Sequence, residues 1–208
     1  NADGLVLCPS EGTTPQDIEA IVRTGTPVTL ICRDVDGTTV PCVRGDDFTG
    51  MREVTRHLVA AGHRHLAFIG GRRHTSSGRD RHLGFMAAMT EAGLSPVADI
   101  PGLMKLADGR VAVDTLLALP ERPTAIVCFN DPIAFGVMSG LAKAGLRAGR
   151  DIAVTGYDDV EGSEASTPSL TTVNNGSDAI GREAARAILA LIAGEDPPFQ
   201  RLLIPPKI

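Results

Sequence analysis

Three clusters of polar residues, each following a short apolar run, are where this sequence could do chemistry. Ser76-Ser77, with Arg79 and Arg81, follows His65–Ile69; Asn130-Asp131 follows Ala125–Phe129; Asp158-Asp159 follows Ile152–Gly156. A guanidinium supplies a rigid fork of donors, an amide both donates and accepts, and a carboxylate only accepts. Brought to one edge, such groups would hold a small polar or polyhydroxylated molecule through bidentate hydrogen bonds. Each has a plainer use as well: Arg81 on a solvated helix face, Asp158 in a turn, Asn130 and Asp131 as helix caps. Between the last two, the mixed amide makes Asn130 the better candidate to touch a ligand.

Catalysis has less to work with. His63 and His65 are spaced as on a strand, with no carboxylate or cysteine at metal-ligand spacing, so no metal site is expected. The sequence has no G-x-S-x-G elbow, and the adjacent acids Asp158 and Asp159 would point in different directions from a strand end. Neither G-x-G-x-x-G nor G-x-x-x-x-G-K occurs, which disfavours ATP and dinucleotides. The expectation is a binding protein, not an enzyme, with no cofactor.

The elements that must position these clusters alternate. Ala125–Phe129 is a continuous apolar run, as expected of a strand buried on both faces of a parallel sheet. Asn130-Asp131-Pro132 caps and starts a helix whose face carries Ala134, Val137, Met138 and Leu141, and Gly145 ends it. The same grammar precedes it. Leu5–Cys8 is a strand, Thr14 with Asp17 resembles a capping box, and Ile18, Ile21 and Val22 form a helix face closed by Gly25. Val28–Cys32 and Val40–Val43 read as strands; Met51, Val54 and Leu58 form a helix face behind Asp46-Asp47. His65–Ile69 is a strand, 79–92 a helix, 98–104 an extended piece and 108–119 a helix. Leu170–Val173 reads as a strand, Ile180, Ala184, Ala187, Ile188 and Leu191 as a helix face, and Leu202–Ile204 as the closing strand. Such alternation predicts an α/β protein with parallel sheets and right-handed crossovers.

With 208 residues the chain can build one large or two small cores, and a net charge of −5 argues against a non-specific nucleic-acid surface. No apolar run is long enough to span a bilayer, so no membrane partner is expected. The four cysteines lack C-x-x-C spacing. Cys8, Cys32 and Cys128 fall in or beside predicted strands, where small buried apolar residues are expected. Free thiols suit a reducing cytosol, which points to a cytoplasmic protein. Asn1-Ala2-Asp3-Gly4 runs straight into a strand, as in a fragment of a longer chain.

Several runs together resemble the LacI/GalR family of bacterial transcription regulators. They are Gly62-His63-Arg64-His65-Leu66-Ala67-Phe68-Ile69-Gly70-Gly71; Arg79-x-Arg81-x-x-Gly84-Phe85; Pro123-Thr124-Ala125-Ile126 with Asn130-Asp131-x-x-Ala134-x-Gly136; and Asp151 through Asp159. Pro168-Ser169-Leu170-Thr171-Thr172-Val173 and Leu203-Ile204-Pro205-Pro206 complete the set in the same order.

The resemblance implies a two-lobe, periplasmic-binding-protein-like type I fold with parallel sheets, three crossovers and a ligand cleft, the first lobe being incomplete. Residues 1–43 would form the first lobe, 44–174 the second, 175–196 a helix returning to the first, and 197–208 a final strand in the second. It implies ligand contacts at Ser77, Arg81, Asn130, Asp158 and Asn175, with Arg81 clamping ligand oxygens and Asn175 coupling lobe closure to the ligand. Arg81→Ala is then expected to weaken binding without unfolding the domain. Two positions depart from the family's pattern: Cys32 stands near where many members carry an aspartate, and Met104 where a sugar-stacking aromatic is often found. With no Trp and one Tyr, the chain has few rings to stack on a hexose, and other polar metabolites stay open. The implied partners are a small-molecule effector, a second copy of the chain, and operator DNA held by a helix-turn-helix that these residues do not contain. The alternative is an extracytoplasmic solute-binding protein of a sugar transporter, which shares the fold.

Overall fold

The computed structural model describes residues 2–208, and the expected α/β architecture is present as two parallel four-stranded sheets. The first sheet has the order β1-β2-β3-β8, from Leu5–Leu7 (β1), Val28–Ile31 (β2), Cys42–Gly45 (β3) and Arg201–Ile204 (β8). The second has the order β5-β4-β6-β7, from Leu66–Ile69 (β4), Ala98–Ile100 (β5), Ala125–Cys128 (β6) and Ala153–Thr155 (β7). Every pairing within these sheets is parallel, so the C-terminal edges of each sheet's strands lie on one side, where open α/β sheets bind ligands.

Local chemistry accounts for the helices. Helix α1 (Pro15–Val22) starts from a capping box in which Thr14 Oγ1 accepts from the Asp17 amide and an Asp17 carboxylate oxygen accepts from the Thr14 amide. Asp46 caps α2 (Asp47–Ala60), its carboxylate 3.0 Å from the Thr49 amide. Helices α3 (Ser76–Glu91), α4 (Leu106–Leu117), α5 (Asp131–Lys143) and α7 (Ser177–Ile192) follow, with a single turn, α6, at Gly162–Ala165. No helix among the described residues is long and apolar enough to cross a membrane.

The larger core surrounds β4 and β6, which are buried along their whole length, and includes Phe68 against Phe85 with ring centroids 5.1 Å apart. The first lobe has smaller cores: Ile18 of α1 packs with Val28, Leu30 and Cys42, while Ile180 and Ala184 of α7 pack with Val43. Helices α4 and α5 cross so closely that a Cβ on Gly136 would strike the Leu106 carbonyl, and one on Gly109 the Ile133 carbonyl.

Four expectations need correction. The final strand joins the first sheet, not the second lobe: β8 pairs with β3 from Cys42↔Arg201 to Gly45↔Ile204. The reason is packing, because Leu202 and Ile204 lie against the Val43, Ile180 and Ala184 cluster. The first lobe likewise runs through Gly45, since β3 extends that far before α2 turns its apolar face into the larger core. Leu170–Val173 is not a strand of the second sheet; it touches β7 through a single bridge, Thr155↔Thr171. Finally, Cys8 and Cys32 are exposed, and only Cys42 and Cys128 are buried.

Candidate functional site

The chain crosses between the lobes beside Gly45–Asp47, Asn174–Gly176 and Ile204–Lys207. Two of these segments pair directly: the Asn174 amide donates to the Lys207 carbonyl at 2.8 Å, and the Lys207 amide donates back at 3.0 Å. The third is tied in by the Asp46 amide, 2.9 Å from the Ile204 carbonyl. In front of the crossovers lies a cleft of about 300 Å³ walled by both sheets. All seven residues expected at a ligand site, Cys32, Ser77, Arg81, Met104, Asn130, Asp158 and Asn175, line it.

Arg81 is the centre of the site. It is buried on α3, with Nε 2.7 Å from Asp47 Oδ1, one terminal nitrogen 2.8 Å from the Phe129 carbonyl and the other 3.0 Å from Asp158 Oδ1. Its guanidinium carbon stands 3.7 Å from the Tyr157 ring centroid and 4.6 Å from that of Phe129. Burial opposes its charge, but Asp158 and Asp47 outweigh that penalty and hold its pKa above the usual arginine value. For Asp47, burial dominates and pushes the carboxyl up despite Arg81 and Arg44. Three of the five N–H bonds of Arg81 are thus spent inside the protein, and the residue lines the cleft.

Asp158 is held in a left-handed backbone conformation, with φ 106°, and its amide donates to the Val173 carbonyl. Cys32 is left-handed too, with φ 63°. Non-glycine residues occupy this region at a cost, and here both occur in the wall of one cleft. The Asp158 Oδ1 that meets Arg81 also accepts from Asn175 Nδ2 at 3.0 Å. Two buried side-chain atoms at this cleft have no hydrogen-bond partner: Ser77 Oγ and Asn175 Oδ1. Unpartnered buried polar atoms are costly, and a ligand hydroxyl or amine would satisfy them.

Asn130 has two jobs. Its Oδ1 accepts from the Ile133 amide at 3.0 Å, which makes it the N-cap of α5, while its Nδ2 reaches toward the Met104 carbonyl at 3.4 Å. Asp131 is not a cleft residue: it is fully buried and accepts from the Val160 amide, Ser163 Oγ and Thr172 Oγ1 at 2.9, 3.0 and 2.6 Å. Those bonds tie down the loop that carries Asp158.

Sequence reasoning missed Asp47, Arg33 and Cys8, which also line the cleft. The Asp46-Asp47 doublet looks like a helix cap, and only Asp46 is one. Asp47 shows its use only through Arg81, 34 residues further along. Around the mouth, further bonds join the lobes. Ser76 Oγ accepts from the Asp34 amide at 2.9 Å, Arg79 pairs with Asp36 at 3.2 Å, Arg44 with Asp80 at 2.6 Å, and Arg72 with Glu11.

A family described as a periplasmic binding protein-like domain matches residues 55–208. The HTH-type transcriptional repressor PurR of Haemophilus influenzae is 33% identical over 202 residues, covering 96% of this chain and 60% of the repressor. A LacI-family regulatory protein from Chloroflexus aggregans superposes with a TM-score of 0.90 at 28% identity, covering 100% of this chain and 75% of that one. The Lac repressor dimer bound to operator and the anti-inducer ONPF gives 0.86 at 29% identity, over 99% and 71% of the two chains. This chain spans 60–61% of the length of the curated repressors ExuR of Bacillus subtilis and PurR of Haemophilus influenzae, which it matches.

Proposed function

The chain belongs to the periplasmic binding protein-like domain family, in the form found in LacI-type regulators, and on that premise we propose that it is the effector-sensing part of a transcriptional repressor. A small polar metabolite enters the cleft between the two sheets and stabilises one arrangement of the lobes over another. In a dimer, that preference reaches DNA-binding heads outside these residues and changes their affinity for operator DNA. The work is binding and takes place in the cytoplasm, where operator DNA is; the site residues hold a ligand and do not transform it.

One observation carries this reading. Arg81, Asp158 and Asn175 form a continuous hydrogen-bonded path from the second lobe to the crossover ahead of α7, beside unpartnered Ser77 Oγ and Asn175 Oδ1. A ligand that bonds this path binds both lobes at once, which is the differential affinity that a population shift needs. The names of the matched relatives support a repressor over the solute-receptor alternative. The residues favour a ligand rich in hydroxyls or amide-like groups over one that needs a stacking ring, since Met104 lines the wall and Phe129, the aromatic beside it, already has the Arg81 guanidinium over its ring.

The test is isothermal calorimetry of the chain against sugars, sugar acids, polyols and nucleobases, repeated with Ser77→Ala and Asn175→Ala. The expected result is one ligand class bound at one site per chain and weakened about tenfold or more by each substitution. A ligand whose affinity neither substitution changes would overturn the site.

A further inference from the structure

Two of the four cysteines meet in the cleft wall. Cys8 directly follows β1 and Cys32 directly follows β2; the register Leu7↔Leu30 sets Cys8 level with Ile31, and Cys32 one residue beyond. Adjacent strands about 4.8 Å apart and a step of about 3.3 Å along the strand place the two Cα atoms about 6 Å apart, within the span of a disulfide. In regular strands, residues one step apart face opposite sides of the sheet. The φ of 63° at Cys32 breaks that alternation, and both exposed side chains line the same cleft.

We propose that Cys8 and Cys32 form a reversible disulfide site, closed by a peroxide, in the first-lobe wall of the cleft. The Cys8 thiolate attacks one oxygen of hydrogen peroxide; the O–O bond breaks, hydroxide leaves, and Cys8 becomes a sulfenic acid. Cys32 then loses its proton and attacks Cys8 Sγ, so that the S–S bond forms as the S–O bond breaks and a second hydroxide departs. Two thiols are oxidised, and one peroxide is reduced to two waters.

The surroundings assign the two roles. Interaction with Cys32, helped by the Arg33 charge and opposed by burial, lowers the Cys8 thiol below the usual thiol value, which favours Cys8 as the attacking thiolate. The same interaction, with burial and the nearby Asp158 and Asp47, pushes the Cys32 thiol up, which suits it to the resolving role. Burial pushes Cys42 up to about 12 and raises Cys128 as well, so neither competes for peroxide. This chemistry stands whether or not the cleft takes the proposed effector.

The test is to treat the full chain with hydrogen peroxide, block the remaining thiols after denaturation, digest with trypsin and identify linked peptides by mass spectrometry. Cleavage after Arg23, Arg33 and Arg44 separates Cys8, Cys32 and Cys42. The expected result is a joined pair of peptides carrying Cys8 and Cys32, with two of the four thiols lost and both regained in dithiothreitol. Cys32→Ser should leave Cys8 as a dimedone-trapped sulfenic acid without a link, and Cys8→Ser should leave Cys32 reduced. No thiol loss, a Cys8–Cys42 link, or Cys8 over-oxidised without a partner would each overturn the proposal.

Discussion

Arg81 and Asp158 meet at 3.0 Å through the one carboxylate oxygen, Oδ1, that also accepts from Asn175 Nδ2 at 3.0 Å. Helix α3 and the crossover ahead of α7 are therefore joined through a single atom, and Asp158 Oδ2 makes no side-chain hydrogen bond among the described residues. A ligand hydroxyl placed on Oδ2 would draw on charge already shared between the lobes.

This arrangement revises the expectation for Arg81→Ala. Removing the guanidinium leaves Asp158 half-buried without its cation and Asp47 buried with Arg44 alone, so about 3 kcal/mol of stability should be lost together with ligand binding. Urea unfolding followed by circular dichroism measures the first effect. A variant as stable as the parent would mean that the two carboxylates are not charged in the folded chain.

Asp131→Ala should cost about 3 kcal/mol, because it strips the acceptor from the Val160 amide, Ser163 and Thr172 at once. The loop that presents Asp158 should loosen too. Hydrogen exchange over 157–163 is the readout, with protection expected to fall there before it falls in β6.

The bonds at the cleft mouth should act on lobe arrangement more than on folding. Ser76→Ala combined with Arg79→Ala removes the contacts to Asp34 and Asp36, at less than about 1 kcal/mol of stability for the exposed Arg79 pair. Small-angle scattering of the ligand-free variant should show a larger radius of gyration than the parent. An unchanged radius with an unchanged unfolding midpoint would mean that other contacts set the closed form.

The acid side has its own marker. Asp108 accepts from the Met104 and Lys105 amides, each at 2.9 Å, and these bonds hold its pKa below the usual carboxylate value. Its contribution is therefore full above the unfolded carboxyl pKa of about 4 and is lost as pH falls through the lower folded value. The stability gap between the parent and Asp108→Asn should be widest near neutrality and narrow toward pH 3. A gap that stays constant across that range would rule out the amide bonds as its source.

How much of this was legible depended on the range of the physics involved. The strand Ala125–Cys128, the Asn130 cap and the Thr14–Asp17 box are local, and residue type alone points to each. The convergence of Arg81, Asn130 and Asp158 follows from a parallel sheet that sends every strand end to one edge. What stayed hidden was long-range. A four-residue strand such as Arg201–Ile204 carries no mark of which sheet it will join. Asp131 shows its three partners only after the chain returns with Val160, Ser163 and Thr172. The glycines at helix ends read correctly, whereas Gly109 and Gly136 serve the close crossing of α4 and α5, which spacing along one helix does not reveal.

The pairing of Asn174 with Lys207, beside the Asp46 tie to Ile204, turns three separate connections into a narrow bonded ribbon. A ribbon bends readily across its face and resists shear within its plane. The lobes are thus left one soft angular coordinate, as a door keeps only its swing when hung on three aligned pins. Ligands of different outline then differ in how far along that one arc they hold the lobes, and not in the direction of motion.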